Sequence, residues 1–400
     1  MPTGNPVLIE LIRETIRIRG PVSFAWFMEQ ALYHPRQGYY GSGRCMIGRS
    51  GDYFTSVSVG PLFGELLAAQ FVEMWKALGR PAEFTIVEQG AHHGELAGDI
   101  LAAVEKMRPE FFSALRYRII EPFPVLRERQ TQALSSLETK VEWRNSLENL
   151  EPFVGAHFSN ELFDAFPVHL ICSRGPVCHA DAKRRRAARA NESNWNEKLV
   201  DWQGDEFIFI ERPINDPALL RHVRRLPSRP IGYTTEVSLA AFELVEAISQ
   251  RLERGFMLAV DYGYSREEYY ATQRTTGTLQ CRIQHRVVSS PFNEIGYADI
   301  TTHVNWTSVA ELAEECGMHM NGFTDQHHFI AGIISDLLRD EFSENADPKK
   351  RRVLQTLLHP DFLGAAFQFL ALAKGPDIRA PLSGFRFASE PRAVLGLVPL

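Results

Sequence analysis

The stretch Phe84-Thr85-Ile86-Val87-Glu88-Gln89-Gly90-Ala91-His92-His93-Gly94 decides the fold. Its apolar first half ends in a glycine-containing turn, and apolar side chains then recur at helical spacing over residues 96–107. A strand, a glycine turn and a helix in this order predict a unit of a parallel α/β sheet. A glycine there lets the backbone approach a ligand closely, and the helix N-terminus offers unpaired N–H groups. We therefore expect the turn to hold part of a nucleotide-like molecule.

The same alternation of strands and helices continues along the chain. Strands are predicted at 116–121, 140–143, 156–160 and 256–261, with further candidates at 318–323 and 367–373, and helices at 124–135 and 239–252. This order predicts an α/β fold with a Rossmann-like, mostly parallel sheet of seven strands and helices on both faces.

The first 80 residues follow a helical pattern instead. Apolar residues at helical spacing end at Gly20-Pro21, a second helix begins near Ser23, and a third spans 63–78. We predict an N-terminal helical segment at 1–80, an α/β domain at 81–375 and a C-terminal tail at 376–400. Within the domain, residues 173–194 are polar and basic and predict a surface loop, and a patch for an anionic partner is the alternative.

Composition narrows the class of protein. In 400 residues, 44% are hydrophobic and 23% charged, as in an ordinary globular protein. The net charge of −6 gives no positive field for phosphates, so we expect no nucleic-acid partner. Five cysteines without a CxxC pair indicate a reducing compartment. Charged residues interrupt the N-terminal apolar run, and no run approaches the roughly 18 to 20 apolar residues of a membrane span. A cytoplasmic protein without membrane insertion is expected.

The spacing around the glycine turn points to one class of cofactor. The dinucleotide fingerprint needs GxGxxG and an acid about 20 residues later, whereas here Glu88 precedes the turn and Glu121 ends the next strand. This arrangement is typical of a methyltransferase, in which the loop holds the amino-acid end of S-adenosylmethionine (SAM) and the second carboxylate accepts hydrogen bonds from the ribose hydroxyls. An ordinary strand-to-helix turn has the same glycines, so that alternative stays open.

Several segments, in order along most of the chain, resemble the MidA-like methyltransferase family, relatives of the mitochondrial complex I assembly factor that methylates arginine. They are Gly38-Tyr39-Tyr40, Gly51-Asp52-Tyr53-Phe54-Thr55-Ser56, Phe63-Gly64, Glu88 to Gly94, Asn160 to Val168, Asp261-Tyr262-Gly263, Gly277-Thr278-Leu279, His285-Arg286-Val287 and Ala298 to Val304. The resemblance implies a class I SAM-binding sheet, an N-terminal lid on the cofactor site and a substrate-side insertion after the fifth strand at about 262–305. The family loop usually reads ExGPGxG, whereas here Ala91 replaces the proline and His92 the middle glycine.

Two carboxylates are the predicted catalytic residues. A guanidinium acceptor needs carboxylates to orient its planar fork, and Glu161 and Asp164 follow the fourth strand at its carboxyl end, where open sheets bind ligands. The alternative is that Asp164 caps a helix and Glu161 is simply exposed. Asp261 ends the fifth strand and either faces the site or satisfies backbone donors at a turn.

The predicted cofactor-binding residues are Asp52, Thr55, Glu88, Gly90, Gly94, Glu121 and Asn160. The resemblance suggests that Asp52 and Thr55 close over SAM, with a plain turn at 51–52 as the alternative. Neighbouring side chains such as His92 and His93 point apart on any regular element, and no other ligand pattern stands at zinc-like spacing, so no metal site is predicted.

These observations predict a SAM-dependent methyltransferase. The resemblance implies that the acceptor is an arginine of a partner protein, such as a respiratory complex subunit or its bacterial counterpart. A non-catalytic assembly module that keeps the fold is the first alternative. A nicotinamide-dependent oxidoreductase is the second, and it lacks the dinucleotide spacing.

Overall fold

The computed structural model describes residues 2–45, 55–175, 193–342, 347–378 and 380–397. Its strands are β1 (Val22–Ser23), β2 (Phe84–Gln89), β3 (Leu115–Ile120), β4 (Val141–Arg144), β5 (Phe153–Asn160), β6 (His169–Ser173), β7 (Trp195–Gln203), β8 (Glu206–Pro213), β9 (Thr234–Val237), β10 (Leu252–Tyr264), β11 (Gln280–Ile283), β12 (Arg286–Val288), β13 (Asp299–Thr301), β14 (Val304–Asn305), β15 (His319–Asp325) and β16 (Phe367–Lys374).

Its α-helices are α1 (Pro6–Arg19), α2 (Phe24–Tyr33), α3 (Leu62–Ala77), α4 (Glu95–Met107), α5 (Pro109–Ala114), α6 (Pro124–Ala133), α7 (Pro217–Val223), α8 (Leu239–Arg251), α9 (Arg266–Tyr269), α10 (Trp306–Glu315), α11 (Gln326–Leu337), α12 (Pro348–Leu358) and α13 (Pro391–Val394). Short 3-10 helices lie at Val57–Val59, Ser135–Leu137, Leu147–Asn149, Arg339–Phe342 and Ser383–Phe385, and a π-helical turn lies at Pro360–Gly364. No helix within the described ranges is long and apolar enough to cross a membrane.

The chain divides into two compact units, each built from three stretches of sequence. Unit 1 comprises Met1–Cys45, Ala165–Phe242 and Glu267–His303. Unit 2 comprises Met46–Asp164, Glu243–Arg266 and Val304–Leu400. Helix α3, which the sequence analysis placed in the N-terminal segment, therefore belongs to unit 2, whereas α1 and α2 belong to unit 1.

Unit 2 contains the α/β sheet that the glycine stretch predicts. Its strand order is β15-β16-β10-β5-β2-β3-β4, and β14 also pairs with β10. The strands from β10 to β4 run parallel, and β16 is antiparallel to both of its neighbours. Because parallel strands point the same way, the residues after β2, β3, β5 and β10 meet at one edge of the sheet.

Burial explains why these strands read as apolar runs. Residues of β5 are buried almost without a break, as expected for a parallel strand covered on both faces. On one face, Phe71 of α3 packs edge-on against Phe158 with ring centroids 5.6 Å apart. Helix α4 buries Leu96, Ile100 and Val104 against the same core. The sheet therefore has a rigid, close-packed support beneath its carboxyl edge.

The residues predicted as a C-terminal tail are part of unit 2. The half-buried carboxylate of Glu73 in α3 accepts hydrogen bonds from the backbone N and the hydroxyl of Ser383, at 2.9 and 2.7 Å. Gln70 accepts from the backbone N of Gly384 at 3.1 Å, and Phe385 is buried. These contacts tie the segment to α3.

Unit 1 is built on antiparallel strands. The order β1-β7-β6-β9, with β8 paired to β7, forms one sheet, and β12-β11-β13 forms another. Trp195 and Tyr233 belong to the core of the first sheet, together with Ile171 and Leu219. The predicted surface loop at 173–194 connects β6 to β7, and its residues 176–192 lie outside the described residues.

Close packing of two glycines in the central strands gives a stability test. An added Cβ at Gly155 would lie 1.9 Å from the backbone O of Thr85, and one at Gly255 would lie 1.9 Å from the backbone O of Gly155. We expect Gly155→Ala to lower the free energy of unfolding by about 3 kcal/mol, because an overpacked strand must shift its neighbours. The matched control is Gly79→Ala, which also has positive φ but meets nothing within 4 Å. It should cost about 1 kcal/mol. Equal losses in denaturant unfolding would contradict the close approach.

Candidate functional site

The glycine turn between β2 and α4 requires glycine at two positions. Gly90 has φ 83° and Gly94 has φ 89°, both in the left-handed region that side chains disfavour. Gly94 is the N-cap of α4 and donates its N–H to the backbone O of Ala91 at 2.7 Å. An added Cβ at Gly90 would lie 3.3 Å from the side chain of Leu162, which follows β5. The turn and the end of β5 are therefore in direct contact.

His92 occupies the turn at a position that the related loop fills with glycine. Its φ of 47° lies in the left-handed region, where a non-glycine residue costs roughly 1–2 kcal/mol. Its backbone O accepts a hydrogen bond from Gln130 Nε2 at 2.8 Å, which holds the strained conformation. His92 therefore adopts the left-handed backbone conformation that glycine adopts readily.

Gln130 of α6 connects the turn to Glu121. Its Nε2 also donates to Glu121 Oε2 at 2.9 Å, and its Oε1 accepts from Trp143 Nε1 at 2.9 Å. The side chain is fully buried. Sequence reasoning missed this residue, although a signal exists: Gln130 lies between Leu126 and Leu134 at steps of four on the buried face of its helix. A polar residue on such a face needs internal partners.

Glu121 follows β3 at the carboxyl edge. Its Oε1 accepts from the backbone N of Phe123 at 2.9 Å, while Gln130 occupies Oε2. Burial raises the pKa of Glu121 to about 7, although both hydrogen bonds oppose the shift. A carboxylate has about four acceptor sites, so this one retains acceptor capacity for hydroxyl donors.

Glu88 lies inside the sheet core rather than at the edge. The hydroxyl of Tyr117 donates to its Oε2 at 2.8 Å, and the side chain is buried. Burial raises the pKa of Glu88 to about 7. This bond joins β2 to β3 just before the glycine turn. The predicted contact of Glu88 with the cofactor stays a prediction.

The end of β5 carries the two predicted catalytic carboxylates. Glu161 has φ 53°, is half-buried, and receives a hydrogen bond from Asn160 Nδ2 to its Oε1 at 3.1 Å. Asp164 is buried. Asn160 Oδ1 is buried and has no hydrogen-bond partner among the described residues. The alternative in which Asp164 caps a helix and Glu161 is simply exposed is wrong, because turns lead from Glu161 to β6 and Glu161 is not exposed.

Asp261 of β10 holds this turn. Its Oδ2 accepts three successive backbone N–H groups, from Leu162, Phe163 and Asp164 at 3.0, 2.8 and 3.1 Å. Its Oδ1 accepts from the N of Tyr262 at 2.8 Å. The alternative that Asp261 satisfies backbone donors is therefore confirmed. Even at roughly 0.5–1.5 kcal/mol for each hydrogen bond, the four together outweigh the backbone strain at Glu161.

The N-terminal residues of the predicted site are described only in part. Asp52 lies outside the described residues. Thr55 is buried, and its N and hydroxyl lie 3.3 and 3.2 Å from the hydroxyl of Ser58. The next residue, Ser56, donates to Gln326 Oε1 at 2.8 Å, which ties the segment to the start of α11. The predicted contact of Thr55 with cofactor stays a prediction.

The prediction that His92 and His93 point apart is wrong. Their ring centroids lie 3.7 Å apart with an interplanar angle of 32°, because the turn is irregular and His92 is left-handed. Together with Glu95 they place one ligand atom each within 4.8 Å of one another, a grouping that could hold a metal ion. Arg129 Nη1, however, lies 3.0 Å from His93 Nε2, and the positive end of α4 also opposes a cation. The absence of a metal site stays a prediction.

A comparison with protein families now identifies the chain. The family model described as "Putative S-adenosyl-L-methionine-dependent methyltransferase" matches residues 66–324, well over half of the chain. The chain belongs to this methyltransferase family. The match begins within α3 and ends within β15, so it includes every strand that contributes to the glycine turn and the β5 turn.

Individual relatives of this methyltransferase extend the comparison to most of its length. The mitochondrial protein arginine methyltransferase NDUFAF7 homolog of Drosophila melanogaster is 26% identical over 93% of this chain and 86% of its own. The human protein arginine methyltransferase NDUFAF7 is 26% identical over 93% of this chain and 85% of its own. A crystal structure from Burkholderia thailandensis, bound to S-adenosyl-homocysteine, has a TM-score of 0.80 at 28% identity and covers 96% of this chain and 98% of that one.

The residues at the edge of the sheet fit SAM. The helix N-terminus after Gly94 suits the carboxylate of its amino-acid end, and Glu121 suits ribose hydroxyls. The buried Oδ1 of Asn160 lacks a donor, and an ammonium group or hydroxyl supplies one. Bound SAM supplies an electrophilic methyl group. The protein's own task is to align the acceptor and exclude water.

The raised pKa of Glu121 predicts pH-dependent cofactor binding. Ribose hydroxyls donate to the ionised carboxylate, so below pH about 7 the protein must release a proton to bind SAM. We expect the Kd to rise by up to tenfold per pH unit below 7 and to stay level above it. Calorimetry from pH 5.5 to 8.5 measures this. Glu121→Gln should bind more weakly at pH 8 and lose the dependence.

Glu88→Gln is the matched control, since burial raises the pKa of Glu88 to the same range. If the pH dependence survives in Glu121→Gln and disappears in Glu88→Gln, then Glu88 and not Glu121 is the titrating group.

The strained backbone of His92 generates a second test. We expect His92→Gly to tighten SAM binding or leave it unchanged, because glycine adopts φ near 47° without cost. His92→Ala separates the ring from the backbone, since it removes the imidazole and keeps the strain. Calorimetry of both variants decides the point. Weaker binding in both would show that the imidazole contacts SAM.

Proposed function

We propose that this methyltransferase transfers the methyl group of SAM to an arginine side chain of a partner protein, held by Glu161 and Asp164. The observation that carries the proposal is the turn after β5, which contains Glu161 and Asp164 and packs against the glycine turn through Leu162. Leu162, between them in sequence, has the side chain nearest to a Cβ added at Gly90. This contact supports placing the proposed acceptor-binding turn next to the proposed cofactor-binding turn.

The chemistry of a guanidinium explains why two acids suit it. The group stays charged near neutral pH, so it becomes a nucleophile only when carboxylates fix its orientation and draw charge away from the attacking nitrogen. Asn160 Nδ2 donates to Glu161 Oε1 and so orients that carboxylate. A lysine acceptor instead needs a route for deprotonating a compact ammonium.

The relatives support the same acceptor. Proteins named as protein arginine methyltransferases match 92–93% of this chain in fly, human and cow. By the resemblance noted from the sequence, the partner is a respiratory complex subunit or its bacterial counterpart. A cytoplasmic location follows from the sequence composition alone and stays a prediction.

We propose, from the family resemblance, a lid over the cofactor and an insertion on the substrate side. Asp52 and Thr55 are part of a lid that closes over SAM, and residues at about 262–305 form a substrate-side insertion. In the structure, β11, β12 and β13 of this insertion form a small antiparallel sheet of unit 1. A sheet of this kind offers backbone edges and loops that can recognise a protein acceptor.

A non-catalytic module is the second candidate, favoured by one observation. His92 stands in the glycine turn at a position that the related loop fills with glycine, and a side chain there reduces the room for a cofactor that approaches the backbone closely. Measured SAM affinity separates the two functions, because a module without cofactor binds SAM no better than it binds NAD.

The catalytic role of Glu161 is tested by Glu161→Gln, which keeps the shape and removes the charge. Turnover should fall by about 10² or more while SAM affinity stays nearly constant, because the carboxylate acts on the acceptor. The assay uses isotope-labelled SAM with a cell lysate that lacks the protein, followed by mass spectrometry of the labelled product.

Glu148→Gln, an exposed acid in the 3-10 helix after β4, is the matched control and should keep wild-type turnover. Methyl-lysine, a methylated small molecule, or full turnover in Glu161→Gln would each contradict the proposal.

A further inference from the structure

The carboxylate of Asp261 is the anchor of the turn after β5. It is fully buried, and three successive N–H groups of the turn converge on one of its oxygens. The turn is tied to β10 a second time, because the N of Glu161 donates to the backbone O of Val260 at 2.9 Å. Both connections lead to adjacent residues of one rigid, central strand.

The turn needs this support because of its backbone. Glu161 has φ 53°, a conformation that a glutamate leaves readily unless neighbouring bonds hold it. The bonds at Leu162, Phe163 and Asp164 begin at the next residue, so they set the direction in which the Glu161 side chain leaves the chain. A shift of about 1 Å at such a group is enough to reduce turnover strongly.

We propose that Asp261 is a positioning residue for methyl transfer, which fixes Glu161 and Asp164 opposite the cofactor turn. The inference rests on the proposed function, since it assigns the two acids to the acceptor. Asp261 itself is not a catalytic residue, because it is fully buried and its oxygens accept backbone N–H groups.

The glycine turn is held by contacts that do not involve Asp261. A change at Asp261 can therefore affect turnover without affecting SAM affinity. Gln130 holds the backbone of His92 and the carboxylate of Glu121 without any contribution from Asp261. Replacing the Asp261 carboxyl group should therefore disturb Glu161 and Asp164 and leave SAM affinity nearly unchanged. A role in stability alone would instead lower the unfolding temperature and leave turnover per folded molecule intact.

The test is Asp261→Asn, whose amide group replaces one acceptor oxygen with a donor. We expect kcat to fall at least tenfold, the Kd for SAM to change less than threefold, and amide hydrogen exchange at Leu162, Phe163 and Asp164 to accelerate. Glu73→Gln is the matched control, because Glu73 also accepts a backbone N–H of unit 2, at Ser383. It should lower the unfolding temperature and keep kcat.

A combined variant shows whether Asp261 acts through the two acids. If it does, Asp261→Asn lowers kcat little further in a background that already carries Glu161→Gln and Asp164→Asn. Losses that multiply, or full kcat in folded Asp261→Asn, would overturn the inference.

The wild-type protein provides a readout that needs no variant and no acceptor. The three amides should be protected from exchange although they lie in a turn, and exchange at the rate of exposed amides would overturn the inference. If the amides are protected and the labelled product is not methylarginine, the proposed acceptor fails while the anchor at Asp261 stands.

Discussion

The parallel pairing of β5 with both β2 and β10 is the constraint on which the site depends. It aligns Gly155 with Thr85 on one side and with Gly255 on the other, at a separation that leaves no room for a side chain at either glycine. With the three strands in this register, their carboxyl ends deliver the glycine turn, the Asn160–Asp164 turn and Asp261 to one edge. Backbone geometry, rather than any single side chain, thus brings the proposed cofactor-binding and acceptor-binding residues together.

Buried polar side chains hold the turns that follow these strands. Gln130 joins the glycine turn to Glu121, and Asp261 joins the turn after β5 to the sheet. Both work by satisfying backbone or carboxylate groups that would otherwise be costly to bury. Burial raises the pKa of Glu88, Glu121 and Asp261 alike, because each carboxylate has little water around it to stabilise its charge.

Local patterns were enough to predict much of unit 2 from sequence. The strand at Phe84–Gln89 and the helix at Glu95–Met107 were predicted to within one residue, because apolar periodicity and glycine turns are local signals. The three donors to Asp261 from the turn after β5 are nearly 100 residues away in sequence, and no local sequence pattern predicts them. The contact between His92 and His93 depends on a left-handed backbone, which residue type does not predict. The chain passes from unit 2 to unit 1 between Asp164 and Ala165, inside an apolar run that has no linker composition.

The division of each unit among three stretches of chain has a consequence for synthesis on the ribosome. Strands β5 and β10 are neighbours in the sheet, yet 91 residues separate Asn160 from Leu252, so their pairing closes a long loop. The last stretch of unit 1 ends at His303, whereas the sheet of unit 2 is complete only after β16 ends at Lys374. The nascent chain therefore carries an unfinished parallel sheet, with open strand edges, while unit 1 already has all of its residues. Until β16 emerges, these open edges can pair with strands of other chains.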